Sequence, residues 1–134
     1  MAIPTGSGSE VLRNAAVNAN DSASAKIDFG GTTGTGTMRT SGNSSGVINV
    51  PANVIITVLN ITCNSNANTH NCVIFVDWQG GGTDIAVASQ QGVSVDTTWV
   101  YNEKMVLREG DELGVYNSAS SCDWSVNFIY QDWT

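Results

Sequence analysis

The sequence has few charged residues and very few basic ones. Of its 134 residues 13% are charged, with 5 Lys or Arg against 12 Asp or Glu, which gives a formal net charge of −7. The basic residues are spread along the chain and form no basic patch. Since such a chain repels phosphate groups, nucleic acid and anionic membranes are excluded as electrostatic partners.

Long apolar runs are also missing. The longest, residues 54–61, is interrupted by Thr57 and Asn60 and falls far short of the ~20 residues that a membrane-spanning helix needs. Residues 1–6 lack the basic and apolar regions of a signal peptide. We therefore expect a soluble product that is made in a cytosol, or one that is exported by a route other than this kind of signal peptide.

The chain offers little for catalysis. Its single histidine, His70, lies in the Asn-rich segment 64–71 and is predicted to be a solvated loop residue. No nucleophile elbow is present, and the Gly-rich stretch at 30–36 lacks the Gly-Lys-Ser/Thr of a phosphate-binding loop. The acidic residues Glu109, Asp111 and Glu112 surround Gly110 and indicate a solvated turn, with a paired-carboxylate active site or a calcium site as the weaker alternatives. We expect no enzyme activity, no cofactor and no metal.

The three cysteines leave two interpretations open. Cys63 and Cys72 flank the polar segment 64–71, and Cys122 lies far along the chain. A disulfide between the first two is one interpretation, and small buried free thiols are the other. Neither spacing is Cys-x-x-Cys, and a lone histidine argues against zinc.

Short β-strands separated by turn residues dominate the chain from Val47 onward. The clearest strand lies at 122–130, where Cys122, Trp124 and Val126 alternate with polar residues. Such strands with frequent turn signals predict an all-β protein, a single jelly-roll-like β-sandwich with an extended N-terminal arm. Ile55 and Leu59 are among the side chains expected in its core.

The chain divides into three regions within one domain. Residues 1–29 are predicted to be an N-terminal arm with short strands, in which 10–17 form a strand or a short helix. Residues 30–46 carry one large apolar residue and are predicted to be a long polar loop, or a segment ordered only against a neighbour. Residues 47–134 are predicted to form the β-sandwich.

Four tryptophans are a high number for this length. Trp124 lies on the alternating strand and is expected in the core. Trp78 and Trp133 lie at strand ends, where they serve either as interface anchors or as stacking platforms for a ligand such as a sugar.

Five phrases of the sequence are similar to small structural proteins of tailed bacteriophages, especially those of marine and cyanobacterial hosts. They are residues 1–13 (MAIPTGSGSEVLR), 26–31 (KIDFGG), 50–59 (VPANVIITVL), 99–113 (WVYNEKMVLREGDEL) and 130–134 (YQDWT). The resemblance covers most of the chain outside 30–46 and 64–71.

This resemblance implies a capsid decoration, or cement, protein: a virion structural protein on the capsid surface. The implied partners are the major capsid protein and further copies of the chain, as a homotrimer. The alternative is a tail-associated or receptor-binding β-sandwich module that binds a glycan. The candidate interface residues are Ile3, Pro4, Val11, Leu12, Trp78, Trp99 and Trp133.

Overall fold

A computed structural model describes residues 8–19, 24–29, 35–40, 47–118 and 122–133. Among these residues the helical segment is a short 3-10 turn at Trp78–Gly80, and no helix is long and apolar enough to cross a membrane. The ten strands are β1 Ser9–Ala19, β2 Ser24–Asp28, β3 Thr35–Thr40, β4 Val54–Ser65, β5 His70–Asp77, β6 Asp84–Val93, β7 Thr98–Tyr101, β8 Met105–Leu107, β9 Glu112–Asn117 and β10 Cys122–Asp132.

The strands form two facing antiparallel sheets. The front sheet has the order β1-β10-β4-β7, with β8 also paired to β4, and the back sheet has the order β6-β5-β9-β2. Strand β3 pairs antiparallel with β2 and parallel with β1, so it joins the sheets along one side. Because β4 and β5, and likewise β9 and β10, lie in opposite sheets, the chain crosses repeatedly between layers. This confirms the predicted jelly-roll-like β-sandwich.

The last strand behaves as its alternation predicts. Cys122, Trp124, Val126 and Phe128 are buried between the sheets, whereas the residues between them are half-buried or exposed. Strand β10 lies between β1 and β4 in the front sheet and pairs with both along its length. The end of the described chain is thus held on both sides by strand pairing.

The inward face of β4 differs from the prediction. Its buried residues begin at Val54 and Ile56, and a register shift against β10 moves the pattern by one residue before Ile61. Ile55 and Leu59, predicted for the core, are only half-buried, on the outer face. The prediction was wrong because both parities of this strand are apolar, so alternation carries no information on which face turns inward.

The segments before residue 47 contribute more regular structure than expected. Residues 9–19 form a full strand paired with β10, which decides between the strand and the short helix. Residues 35–40, within the predicted polar loop 30–46, form β3. Backbone hydrogen bonds to β1 and β2 of the same chain hold these six residues, so this part of the segment is a strand and not a loop.

Candidate assembly surface

An apolar row crosses the outer face of the front sheet. Leu12 on β1 pairs with Ile129 on β10, which pairs with Thr57 on β4, which pairs with Val106 on β8. Directly opposed residues share a face of the sheet, so the four side chains form one continuous band. Leu12 is 64% exposed and Val106 60% exposed, so the two ends of this apolar row stand in solvent.

Further apolar side chains widen the row. Ile55 lies two residues before Thr57, on the same face of β4. Leu59 lies at the register shift between β4 and β10. Charged residues lie at both ends of the row. Glu10 lies two residues before Leu12, and its carboxylate accepts a hydrogen bond from Gln131 Nε2 at 2.8 Å. Exposed Lys104 and Arg108 lie two residues before and after Val106. The four paired positions of the row are therefore uncharged, with charged residues at its margins.

The other half of the same face carries a ladder of polar side chains. Asn127 Nδ2 donates to Asn60 Oδ1 at 2.9 Å, and Asn64 Nδ2 donates to Thr98 Oγ1 at 2.8 Å. Hydrogen bonds from the amides of Asn18 and Asn66 hold the pKa of Asp123 below its usual value. The polar side chains of this half form hydrogen bonds with one another. The apolar row, by contrast, leaves apolar side chains in contact with solvent.

The predicted interface residues fall in different places. Leu12 lies in the apolar row, whereas Val11 has the opposite parity on β1 and is 40% exposed at its end. Ile3 and Pro4 lie outside the described residues. The sequence analysis missed Ile129 and Val106, because only the strand registers bring them beside Leu12.

The three candidate tryptophans do not lie together. The backbone N–H of Trp133 donates to the carbonyl of Asn53, just before β4, whereas Trp99 pairs with Cys63 ten residues further along that strand. At about 3.3 Å per residue, Trp133 and Trp99 are about 30 Å apart. Trp99 stacks edge-to-face on Trp124 with ring centroids 6.2 Å apart, so it belongs to the margin of the core.

Trp78 is the exposed one of the three. It opens the 3-10 turn at the Trp133 end of the sandwich and is 41% exposed. With Trp99 at the opposite end, these side chains do not form a joint stacking groove within one copy of the described chain.

The acidic turn is built into the structure. Asp111 is fully buried; its Oδ1 accepts hydrogen bonds from the backbone and side-chain N–H of Gln79 at 2.9 and 3.3 Å, and its Oδ2 accepts from the backbone N–H of Arg108 at 3.0 Å. Gly110 has φ 88°, which permits the bend. The predicted turn is confirmed, but Asp111 is buried and not solvated.

Glu112 is likewise held by neighbours. Its carboxylate contacts the Lys26 ammonium and accepts a hydrogen bond from Asn49 Nδ2 at 2.9 Å. Burial opposes the charge of Lys26, but the hydrogen bond to Glu112 and the charges of Glu112, Asp84 and Asp77 outweigh it, so the pKa of Lys26 is raised. The carboxylates at 111 and 112 thus serve the fold.

The cysteines and the histidine meet inside the sandwich. Cys63, Cys72 and Cys122 are fully buried free thiols, and the Sγ atoms of Cys63 and Cys72 are 3.4 Å apart. Their hydrogen bond raises the pKa of Cys63 and lowers that of Cys72, and burial raises the pKa of Cys122 to about 11. The prediction of a solvated loop for His70 was wrong: it is the first residue of β5 and fully buried.

Fold and surface together define an all-β sandwich with an exposed uncharged row on one sheet. No family model and no curated protein matches the sequence.

Several solved structures are similar at low identity. A protein of the disulfide-linked pili of Bacillus endospore appendages is 11% identical, with 99% of this chain and 96% of that chain covered and a TM-score of 0.46. The CBM22-1–GH10 modules of a Clostridium thermocellum xylanase are 12% identical, with 87% and 26% covered and a TM-score of 0.43. A pentameric capsid protein from metagenomic phage sequences is 15% identical, with 90% and 68% covered and a TM-score of 0.42. The fold assignment rests on the strand pairing of this chain itself.

Proposed function

We propose that this chain is a non-enzymatic structural protein of a phage virion, a capsid decoration protein that binds the outer shell and stabilises the head. The observation that carries the proposal is the row Leu12–Ile129–Thr57–Val106, which crosses four paired strands and exposes the aliphatic side chains Leu12 and Val106 at its two ends. Exposed apolar surface on a rigid sheet favours contact with another protein surface.

A second copy of the chain is the occupant that this row suits. Copies that each carry a net charge of −7 repel one another, so they associate through a surface with few charges. The charged residues lie at the margins of the row: Glu10, whose carboxylate is already bonded to Gln131, near Leu12, and Lys104 and Arg108 near Val106. We infer that the row forms the contact between copies, in the homotrimer that the sequence resemblance implies.

Association of copies supports decoration by two physical effects. A protein that binds only the expanded shell stabilises that shell by mass action. A trimer that contacts several capsid subunits at once gains avidity from each further contact. The structural roles of Asp111 and Glu112 support the non-enzymatic part of the proposal, because these carboxylates are engaged in holding the turn and the ion pair.

The alternative, a tail-associated or glycan-binding module, receives less support. Sugar binding by stacking needs aromatic faces grouped along one groove. Trp78 is exposed alone, while Trp99 packs on Trp124 at the far end of the sandwich.

The test mixes the purified protein with undecorated expanded capsids and images the particles by cryo-electron microscopy. We expect saturable density at symmetry-related sites on the shell. Density restricted to the tail or to one vertex would contradict decoration and support the alternative.

Two matched variants test the role of the row. Leu12→Glu places a charge in the row, and Ile85→Glu places the same charge at a 49%-exposed aliphatic residue on β6. In sedimentation velocity we expect self-association to weaken roughly tenfold or more in the first variant, because an unpaired charge at a contact is costly to desolvate. The second variant should associate like the wild type. Equal behaviour of the two variants would exclude the row as the contact between copies.

A further inference from the structure

The three cysteine sulfurs meet at one point of the core. Cys63 on β4 and Cys122 on β10 belong to the front sheet, and Cys72 on β5 faces them from the back sheet. The three Sγ atoms all lie within 4.8 Å of one another, and the closest pair is 3.4 Å apart. Zinc–sulfur bonds of about 2.3 Å in a tetrahedral site place sulfurs about 3.8 Å apart, so this spacing suits thiolate ligation of a metal ion.

His70 shares strand β5 with Cys72, but its ring nitrogens do not belong to the group of donor atoms that lie within 4.8 Å of one another. It precedes Cys72 by two residues on β5, so the two side chains lie on the same side of the strand. It is fully buried, and within the described part of the chain neither ring nitrogen has a hydrogen-bond partner. An unpaired buried polar group costs about 1–3 kcal/mol, which ligation of a metal by one ring nitrogen would offset.

The surroundings of the cluster are polar for a protein core. Ser65 pairs with Cys122 and Asn117 pairs with Cys72, and both polar side chains are fully buried. Asn117 Oδ1 accepts a hydrogen bond from Trp124 Nε1 at 3.0 Å. Buried hydrogen-bonding groups of this kind commonly surround metal ligands, whereas a core that only has to pack is apolar.

A metal ion accounts for the whole group of side chains. A disulfide uses two thiols and leaves the third over, and simple packing of thiols leaves the imidazole unpaired. We propose that Cys63, Cys72 and Cys122 bind a zinc-type divalent cation as thiolates. His70, on the same inward side of β5 as Cys72, becomes the fourth ligand when its ring moves toward the three sulfurs on metal binding. Each thiol gives up its proton on binding, so three thiolates and a neutral imidazole surround the ion with a net charge of −1.

Burial of all four side chains has a consequence for loading. The ion has to enter during folding or local opening, so metal binding and folding are coupled. The zinc site and the decoration function are independent proposals. A virion protein without zinc would contradict only the zinc site, and a zinc protein outside a virion would contradict only decoration.

The test unfolds the full chain with reductant and refolds it with EDTA, with equimolar Zn²⁺ or with equimolar Co²⁺. We expect about one zinc ion per chain in native mass spectrometry and thiolate-to-cobalt charge-transfer absorption in the Co²⁺ sample. We also expect Tm to be higher by about 5 °C or more with Zn²⁺ than with EDTA. A metal-free wild-type chain with the same Tm in both samples would overturn the proposal, as would a Cys63–Cys72 disulfide in the native protein.

Three variants assign the ligands. Cys122→Ala should lower zinc affinity more than roughly tenfold, and His70→Ala should lower it by about tenfold with altered cobalt bands. Val126→Ala, on the same inward side of β10, should lower Tm and still bind one zinc ion per chain. Wild-type affinity in Cys122→Ala would overturn the site, and wild-type affinity in His70→Ala would remove His70 from it.

Discussion

Phe75 on β5 and Gly114 on β9 are direct partners, and the phenyl ring lies where a side chain at position 114 would stand. A Cβ built on Gly114 would be 2.2 Å from Phe75 Cζ, well inside contact distance. This arrangement leaves Phe75 only 6% exposed although it is on the outer face of the back sheet. Glycine at 114 thus allows the outer face to bury an aromatic ring.

Gly114→Ala should therefore destabilise the fold. We expect a loss of about 1–3 kcal/mol in the free energy of unfolding measured with urea, because the ring has to move off the strand. Gly81→Ala is the control, since its nearest neighbour atom would be 3.5 Å away, and should stay within about 0.5 kcal/mol of wild type. Equal stabilities of the two variants would show that Phe75 moves aside at no cost.

The sequence predicts those parts of the fold that depend on the polarity pattern of neighbouring residues. The sequence identifies strand β10 because its two parities differ in polarity. It does not identify the inward residues of β4, because both parities of that strand are apolar. His70 is buried at the start of a strand that pairs with Val93 on β6, and local composition does not predict a pairing between residues so distant in sequence.

The same limit applies to both candidate sites. The apolar row and the thiol cluster are each assembled by strand registers. Cys122 comes near Cys63 because β10 pairs with β4, and Val106 joins Leu12 only through two intervening strands. Non-local pairing of this kind leaves no spacing motif in the sequence.

Trp99 and Trp78 should differ strongly in their contribution to stability. Trp99 is half-buried and stacks on Trp124, so Trp99→Ala should cost about 2–3 kcal/mol in urea unfolding. Trp78 is exposed on its turn, so Trp78→Ala should stay within about 0.5 kcal/mol. The reverse order would contradict the placement of these two side chains.

The ion pair of Lys26 with Glu112 should make part of the stability depend on alkaline pH. Since the folded-state pKa of Lys26 is raised, its contribution is fully present below the ordinary lysine pKa and is lost as pH rises through the folded value. At neutral pH, Lys26→Met should cost about 1–2 kcal/mol, because Glu112 stays largely buried without its cation.

The measurement compares urea unfolding of wild type and Lys26→Met from pH 7 to pH 11. The difference in unfolding free energy between the two proteins should shrink at the alkaline end of this range. The other titrating groups are present in both proteins, so their contributions cancel in this difference. Lys104→Met, at an exposed position between β7 and β8, should match wild type throughout. A difference that stays constant across this range would contradict the assigned role of the charge.

Substitutions of Asp111 and Glu109 should differ in their effect on stability, because the Asp111 carboxylate is buried in the acidic turn and Glu109 is exposed. Both carboxylate oxygens of Asp111 accept hydrogen bonds from N–H donors, so in Asp111→Asn the new NH₂ group faces a donor in either orientation. We expect a loss of about 1–3 kcal/mol in urea unfolding, whereas Glu109→Gln, at an exposed position, should stay within about 0.5 kcal/mol. Wild-type stability in Asp111→Asn would mean that the buried carboxylate is not needed for the turn. In that case the catalytic interpretation of the acidic cluster would have to be tested again, by assaying both variants for hydrolysis of glycosides.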